Sequence, residues 1–439
     1  MTEAFKKLND LVEQTFLIED KGVVKLLCAS VIANRLPFDP IWLFLVAPSG
    51  GGKTEFISAL NDVIGIYPLS TVTSKTFISG FRKKGEETSL LFQVNEGIIT
   101  LKDFTSILSL HKDERQEIMS QLREIYDGRL IKVFGTGEKV DWKGKIGLIA
   151  GVTTTIYVVR ELYAAMGERF VMYAPVMPNR MKIAERAMQN AATIQTQREE
   201  LRKAFKHYLD TEIGVPIEYP KPDTFLLTEI IKLAEFSTRA RSPVEREWRS
   251  AAKEITYVHP PEAPTRFASQ LLSLATTLRI LNQGNLEDED RSIIYKIALD
   301  SITSTRRLVL REAARYTKIN TAGLATKINY PTNSTRRFLE DLNALEVIER
   351  LKPEGNRGDI WRLKEEYRKL IQHYDRIEPI NRELDEREAE QFLPTELTTE
   401  LLPEEQSETA PSVSSDDTID ARSLFVSPDD PSHTDADTL

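Results

Sequence analysis

Apolar positions fall along the chain in runs with different periods, and the periods predict different elements. Trp42-Leu43-Phe44-Leu45-Val46 is continuously apolar over five residues, as expected of a strand buried on both faces. Gly97-Ile98-Ile99-Thr100-Leu101, Ile146 to Gly151 and Val171 to Ala174 read the same way. Asp113 to Tyr126 instead brings Ile118, Leu122 and Ile125 to one face of a helix. Leu130 to Phe134 alternates, meets Gly135-Thr136-Gly137-Glu138 and continues as Lys139 to Lys143, which predicts a β-hairpin with a glycine-bearing turn. Met181 to Asp210, Thr224 to Arg241, Arg266 to Leu281 and Asp288 to Arg315 predict helices, with Pro216 to Pro222 as an interruption. Past Ile319 the elements shorten to a helix over Thr321 to Ile328, a turn at Tyr330-Pro331-Thr332-Asn333 and a helix over Ser334 to Leu345. Val347 to Leu351 and Ile360 to Leu363 then flank a polar connection, which completes the pattern of a winged helix.

The first strand runs into Ala47-Pro48-Ser49-Gly50-Gly51-Gly52-Lys53-Thr54 and then a helix to Leu60, the layout of a phosphate-binding P-loop. Gly50, Gly51 and Gly52 would let backbone N–H groups curl around phosphate oxygens, with Pro48 and Ser49 leading into that cradle, and Lys53 would reach the β and γ phosphates. The Thr54 hydroxyl would sit on Mg²⁺, and Glu55 opens the helix whose N-terminus favours an anion. ATP and Mg²⁺ are therefore the expected ligands. Ala47 stands where the P-loop pattern has its first glycine. About 40 residues on, Gly97 to Leu101 ends in Lys102-Asp103-Phe104, where a second strand of such proteins delivers an acid to the metal. Asp103 is the one acid there.

The order of parts resembles the AAA+ module of minichromosome-maintenance (MCM) type helicases and their shorter relatives in phages, plasmids and genomic islands, over roughly residues 20 to 316. In that family a helix and a hairpin lie between the Walker B strand and the sensor-1 strand, and the hairpin grips DNA in a ring channel. The resemblance implies that Thr136 to Lys139 is the hairpin tip, with Lys132 and Lys139 as its cations. It implies that Arg169, in Glu168-Arg169-Phe170, is an arginine finger inserted into a neighbouring subunit's site. It further implies that Arg266, after Pro264, is a sensor-2 arginine acting across the same interface. Two departures are plain: the acidic pair appears as Lys102-Asp103, and the sensor-1 Asn appears as Thr153 or Thr154. Only about 40 residues precede the P-loop, so the large N-terminal DNA-binding domain of cellular members is expected to be absent. Loading would then depend on the winged helix or on an initiator or single-strand-binding partner.

The expected architecture is thus α/β: an N-terminal helical segment (1–40), an AAA+ core with a parallel sheet between helices and a pre-sensor-1 hairpin (41–180), a helical linker and lid over the nucleotide (181–316), a winged-helix domain (317–375) and an acidic disordered tail (376–439). In the winged helix, Arg336 and Arg337 open the recognition helix, and Arg350, Lys352 and Arg357 put cations on the wing as candidate DNA contacts. Arg306, Arg307, Arg311 and Arg315 lie on or near one long helix and either face phosphates or form a solvated stripe.

Charge refines this picture once it is divided along the chain. The net charge is −9, but Glu390 to Leu439 holds 13 Asp/Glu against one Arg, so residues 1 to 389 carry +3. The tail is rich in Ser, Thr, Pro and Asp and reads as disordered, either a solubilising extension or a docking tail with Ser423-Leu424-Phe425-Val426 as its anchor. The single cysteine, Cys28, lies in an apolar helix and has no disulfide partner, which fits a reducing cytoplasm. No apolar run reaches the roughly 18 residues of a membrane span. The expectation is a hexameric, DNA-acting ATPase, a replicative helicase of a phage or mobile element. Its rivals are a loader or remodeller of nucleoprotein and a DNA-binding regulator without unwinding activity.

Overall fold

The computed structural model describes residues 2–17, 20–78, 82–83, 86–87, 89–135, 137–157, 169–176, 180–247, 253–351 and 358–377. Residues 378–439 of the expected tail, Thr136, Lys352 and Arg357 lie outside the described residues, while Arg376 and Ile377 at its expected start are helical. Five strands form one parallel sheet: β1 (Trp42–Val46), β2 (Ile66–Leu69), β3 (Ile98–Leu101), β4 (Gly147–Val152) and β5 (Phe170–Tyr173). Their spatial order is β2-β3-β4-β1-β5. Helices flank the sheet, so the chain is α/β. β1 is bonded on both edges, with Trp42 opposite Leu148 of β4 and opposite Phe170 of β5.

Alternate residues of β1 feed two separate cores. Leu43 and Leu45 join Ile149, Val171 and Tyr173 in a core shared with the helices Gly22–Arg35 and Thr265–Leu281. Trp42, Phe44 and Val46 face the other side, with Phe104, Leu148, Phe170 and the helix Lys112–Tyr126. Phe44 stacks on Phe170 with ring centroids 3.9 Å apart. A strand with an apolar core on each face needs an unbroken apolar run, which is why the sequence shows no alternation there.

Between β3 and β4 the chain inserts the helix Lys112–Tyr126 and the antiparallel pair Arg129–Val133 and Lys139–Lys143. Leu130, Val140 and Trp142 turn this hairpin's inner face into the core, and the Trp142 indole donates to the Leu91 carbonyl at 3.0 Å. Gly128 enters the hairpin at φ 82°, and Gly144 leaves it bonded to the Gly128 carbonyl.

The helical region departs from the expected spans. Met181 to Asp210 is broken at Asn190 to Thr193 into the helices Arg180–Gln189 and Ile194–Lys206, the latter running on into a π-helical turn, His207–Ile213. Asp288 to Arg315 is two helices, Asp288–Asp300 and Ser304–Ala313, separated at Ser301-Ile302-Thr303. After the break, Ser304–Ala313 packs against Thr321–Lys327 and Thr332–Ala344. Strands Ile319–Asn320, Ile348–Leu351 and Ile360–Leu363 form a three-stranded antiparallel sheet beside these helices, and the helix Glu365–Ile377 follows. The short strands β2 and Ile319–Asn320 and the pair Val244–Arg246 with Ile255–Val258 are elements that periodicity did not predict.

The arginines of Ser304–Ala313 neither form a solvated stripe nor face a phosphate site: they are buried in ion pairs. Arg306 donates to the carbonyls of Ala240 and Ser242 and pairs with Asp341 at 3.2 Å. Asp341 also holds Arg246 at 2.7 Å. Arg307 pairs with Asp300, whose carboxylate accepts from the Ala174 amide at 2.8 Å and holds Lys296 at 3.0 Å. Arg311 pairs with Asp375 at 2.8 Å. Four charged helices are thereby tied to one another and to the end of β5.

Asp341→Ala would remove a carboxylate shared by two buried guanidinium groups, of which Arg246 keeps Glu340 at 3.2 Å, and breaking such a buried pair costs up to about 3–5 kcal/mol. A urea titration should show a loss of that order. A change below about 1 kcal/mol would show that water replaces the carboxylate, as at an exposed pair.

Candidate functional site

The P-loop sits at the strand-ending edge of the sheet, where loops of parallel α/β folds build their sites. Gly50 and Gly52 both adopt left-handed backbone, at φ 78° and 76°, so these two positions of the loop favour glycine. Ala47 has no such conformation and is buried, its amide bonded to the Val152 carbonyl at 3.1 Å. That accounts for the missing first glycine: at this position the backbone tolerates a Cβ. The helix begins at Lys53 and runs to Ala59.

The Lys53 ammonium turns back into its own loop and donates to the carbonyls of Ala47 at 2.6 Å and Pro48 at 2.8 Å. Burial lowers its pKa, and the nearby Asp103 carboxylate opposes that shift. Asp103 leaves β3 exposed and accepts the Thr105 amide at 2.9 Å. The Thr105 hydroxyl in turn meets Thr153, accepting its amide at 3.0 Å and donating to its hydroxyl at 3.3 Å. Of the two threonines at the end of β4, Thr153 is therefore the one linked to Asp103. Gly151 lets these strands close up: a Cβ there would lie 2.6 Å from the Lys102 carbonyl and 3.3 Å from the Lys53 Cβ. A glycine ending a buried strand was the available signal for this close approach.

Two clefts open beside the loop. One, of about 340 Å³, borders Gly50, Gly51 and Gly52 and is walled by apolar groups including Phe16, Val23, Val176, Ile183 and Ile194. Its far wall comes from Arg180–Gln189 and Ile194–Lys206. The helices Thr265–Leu281 and Asp288–Asp300, expected as a lid over this site, contribute none of its lining. The second cleft, of about 300 Å³, brings Thr54, Ser58, Lys102, Arg198 and Arg202 together. Lys102 thus lies on the Thr54 side of the loop helix. Arg198 borders both clefts and is forked onto Glu55, its Nε donating at 2.9 Å. Glu55 raises the Arg198 pKa through that bond. Neither Arg198 nor the apolar walls carried a motif that sequence could reveal.

Pro48 to Thr54 and Asp103 are brought together; Arg169 and Arg266 are not with them. Phe170 lies opposite Trp42, so Arg169 sits at the strand-starting edge, about 15 Å of strand length from the loop. There Arg169 and Arg266 both approach Tyr126. Their guanidinium carbons lie 5.6 Å and 5.8 Å from the centroid of the same ring, Tyr126. Arg169 also bonds Asp127 at 2.6 Å. The Gln270 amide donates to the Tyr126 hydroxyl at 3.0 Å and to the Arg169 carbonyl at 2.9 Å.

The expected nucleic-acid contacts divide. Lys132 is not an open cation: it is half-buried, 3.3 Å from Glu117 and 5.7 Å from the Phe134 ring. Its place on the hairpin's inward-turning register, opposite Val140, explains this. Lys139 is exposed on the other face, across from the exposed Val133. On Thr332–Ala344, Arg336 is exposed and Arg337 half-buried. Arg350 is held bidentate by Asp359, at 2.8 and 2.7 Å.

Chemically, the loop edge offers backbone donors, an ammonium, a carboxylate and an adjoining apolar cleft. Among the described residues no group of three or more His, Cys, Asp or Glu could hold a metal alone. Thr54 and Asp103 supply at most a part of a Mg²⁺ shell, the rest being left to phosphates and water. Among the described residues no helix is long and apolar enough to cross a membrane. No protein-family model matches the sequence, and no curated protein is recognisably similar to it.

Gly52→Ala forces a left-handed alanine, at about 1–2 kcal/mol, and should abolish binding of a fluorescent ATP analogue. Ala47→Gly should leave that binding unchanged. Equal affinity in both variants would show that the loop backbone does not form the site.

Proposed function

We propose that the chain is an ATP-dependent, ring-forming motor of the AAA+ type that acts on DNA, with MCM-like helicases of phages and mobile elements as the nearest template. The observation that carries this reading is the division of parts between two edges. A P-loop with Asp103 stands at one edge and Arg169 with Arg266 at the other, so one subunit's two halves serve different sites. Head-to-tail contact between copies completes each site, and such heterologous contacts close into rings, a hexamer on the MCM template.

Within this reading the apolar cleft takes the base, and Gly50 to Gly52 cradle the phosphates. Lys53 exchanges its two loop carbonyls for phosphate oxygens, which offer it a charged partner. Mg²⁺-ATP supplies the phosphoanhydride, and Thr54 and Asp103 are the residues that would hold the metal. Thr105 and Thr153 fix the Asp103 carboxylate beside it. Lys139, with the exposed Ile131 and Val133 on the same hairpin face, and Arg336 on the carboxy-terminal unit are the proposed DNA contacts. The helix pair and three-stranded sheet of that unit support the winged-helix reading. The cytoplasm is the proposed compartment, with buried Cys28 in keeping.

A second reading, an ATP-dependent loader or remodeller that does not unwind DNA, is favoured by the exposed Lys102 beside the one acid of β3. Strand displacement on a forked duplex separates the two. Unwinding that requires ATP supports the motor, and ATP turnover without unwinding supports the loader.

Lys53→Ala should remove ATP turnover while the protein remains folded, since the ammonium's two hydrogen bonds go only to carbonyls of its own loop; full turnover in this variant would remove the P-loop assignment. Asp103→Asn should lose turnover, because a neutral amide neither balances the metal nor accepts a proton, whereas Lys102→Asp should keep or raise it. A folded, ATP-binding Lys102→Asp protein without turnover would mean that the lysine has a role of its own.

If the arginines act on a neighbour, Arg169→Ala and Lys53→Ala proteins, each inactive, should recover turnover when mixed. No recovery despite demonstrated subunit exchange would sink the trans assignment.

A further inference from the structure

Two cations share one aromatic ring at the edge opposite the P-loop. Tyr126 ends the helix Lys112–Tyr126, is buried against Trp42 and has both guanidinium groups near its ring, at 5.6 Å for Arg169 and 5.8 Å for Arg266. The ring's quadrupole attracts both cations, and a carboxylate gives one of them a second partner. Asp127, the next residue, is that carboxylate, 2.6 Å from Arg169 Nη2. Gln270 lies one helical turn beyond Arg266 and bonds both the Tyr126 hydroxyl and the Arg169 backbone. The Arg169 side chain is 12% exposed, far less than a solvated arginine.

We propose that Tyr126 and Asp127 are positioning residues that hold Arg169 and Arg266 in mutual register for the P-loop of a second copy of this chain. The proposal rests on the reading that these arginines act across a subunit contact. Tyr126 supplies a flat support on which two planar guanidinium groups can lie, and Asp127 fixes the rotation of one of them. Gln270 binds the Arg266 helix to the same block, so the arginines cannot drift apart independently. None of these groups borders the chain's own loop, and their effect on turnover is therefore expected on the donor side of an interface.

The test uses the full-length chain and steady-state ATP turnover. Tyr126→Leu, which removes the ring, should lower kcat by about tenfold to a hundredfold, the scale of a misplaced catalytic group. Its KM for ATP should stay within about twofold, since ground-state binding is untouched. Tyr126→Phe keeps the ring and should restore most of kcat. Because Tyr126 is buried, Asp127→Asn at a half-exposed position gives a second variant that keeps the fold, with a smaller loss of the same kind. Mixing either variant with Lys53→Ala subunits should recover turnover, as mixing Arg169→Ala does. A variant at wild-type kcat, or a loss that Lys53→Ala subunits do not repair although they repair Arg169→Ala, overturns the positioning role. Full turnover in Arg169→Ala overturns the trans reading itself, and this proposal with it.

Discussion

β1 is hydrogen-bonded on both edges and packed on both faces, and the placement of the rest follows from keeping it dry. A central strand of five apolar residues has no surface to give to water, so one helical layer must cover Leu43 and Leu45 and another must cover Trp42, Phe44 and Val46. The parallel order puts every strand end on one edge, which concentrates the P-loop, Asp103 and Thr153 there. It puts every strand start on the other, and Trp42 at that start is what Tyr126 packs against, edge to face with centroids 5.2 Å apart. The two sets of polar groups are separated by the strand's own length.

What sequence made legible was whatever buried itself by a regular period or bent by glycine. Four of the five sheet strands, the hairpin and the helix Lys112–Tyr126 lie within a residue or two of where periodicity set them. Gly50 and Gly52 were legible because no other residue is at ease at φ above 70°. β2 was missed because Ile66–Leu69 is an edge strand with a proline and only one buried residue, too short for a period. The break at Ser301 was missed because helix propensity alone runs through it, and the buried Arg307–Asp300 pair only forms once the chain turns there.

The site was legible only in part for a related reason. Motif residues near one another in the chain, Pro48 to Thr54, announce themselves by spacing. The apolar cleft wall comes partly from Phe16 and Val23, ahead of the loop, and partly from Ile183 and Ile194, far beyond it, and these residues look like those of any amphipathic helix. The buried arginines show the limit from the other side: a run of cations reads as a surface stripe unless the acids that pair with it, Asp300, Asp341 and Asp375, are known to fold back onto it.

The ion pairs at Asp341 have a consequence for how the chain can be cut. A fragment ending near residue 316 would keep Arg246, Arg306 and Arg311 but lose Asp341 and Asp375, the carboxylates these buried cations pair with. A fragment starting at 317 would lose the helix Ser304–Ala313 against which its own two helices pack. Residue 316 is thus a point that buried ion pairs span, from Ser304–Ala313 to Thr332–Ala344 and Glu365–Ile377, and either cut would expose charges that the intact chain keeps from water.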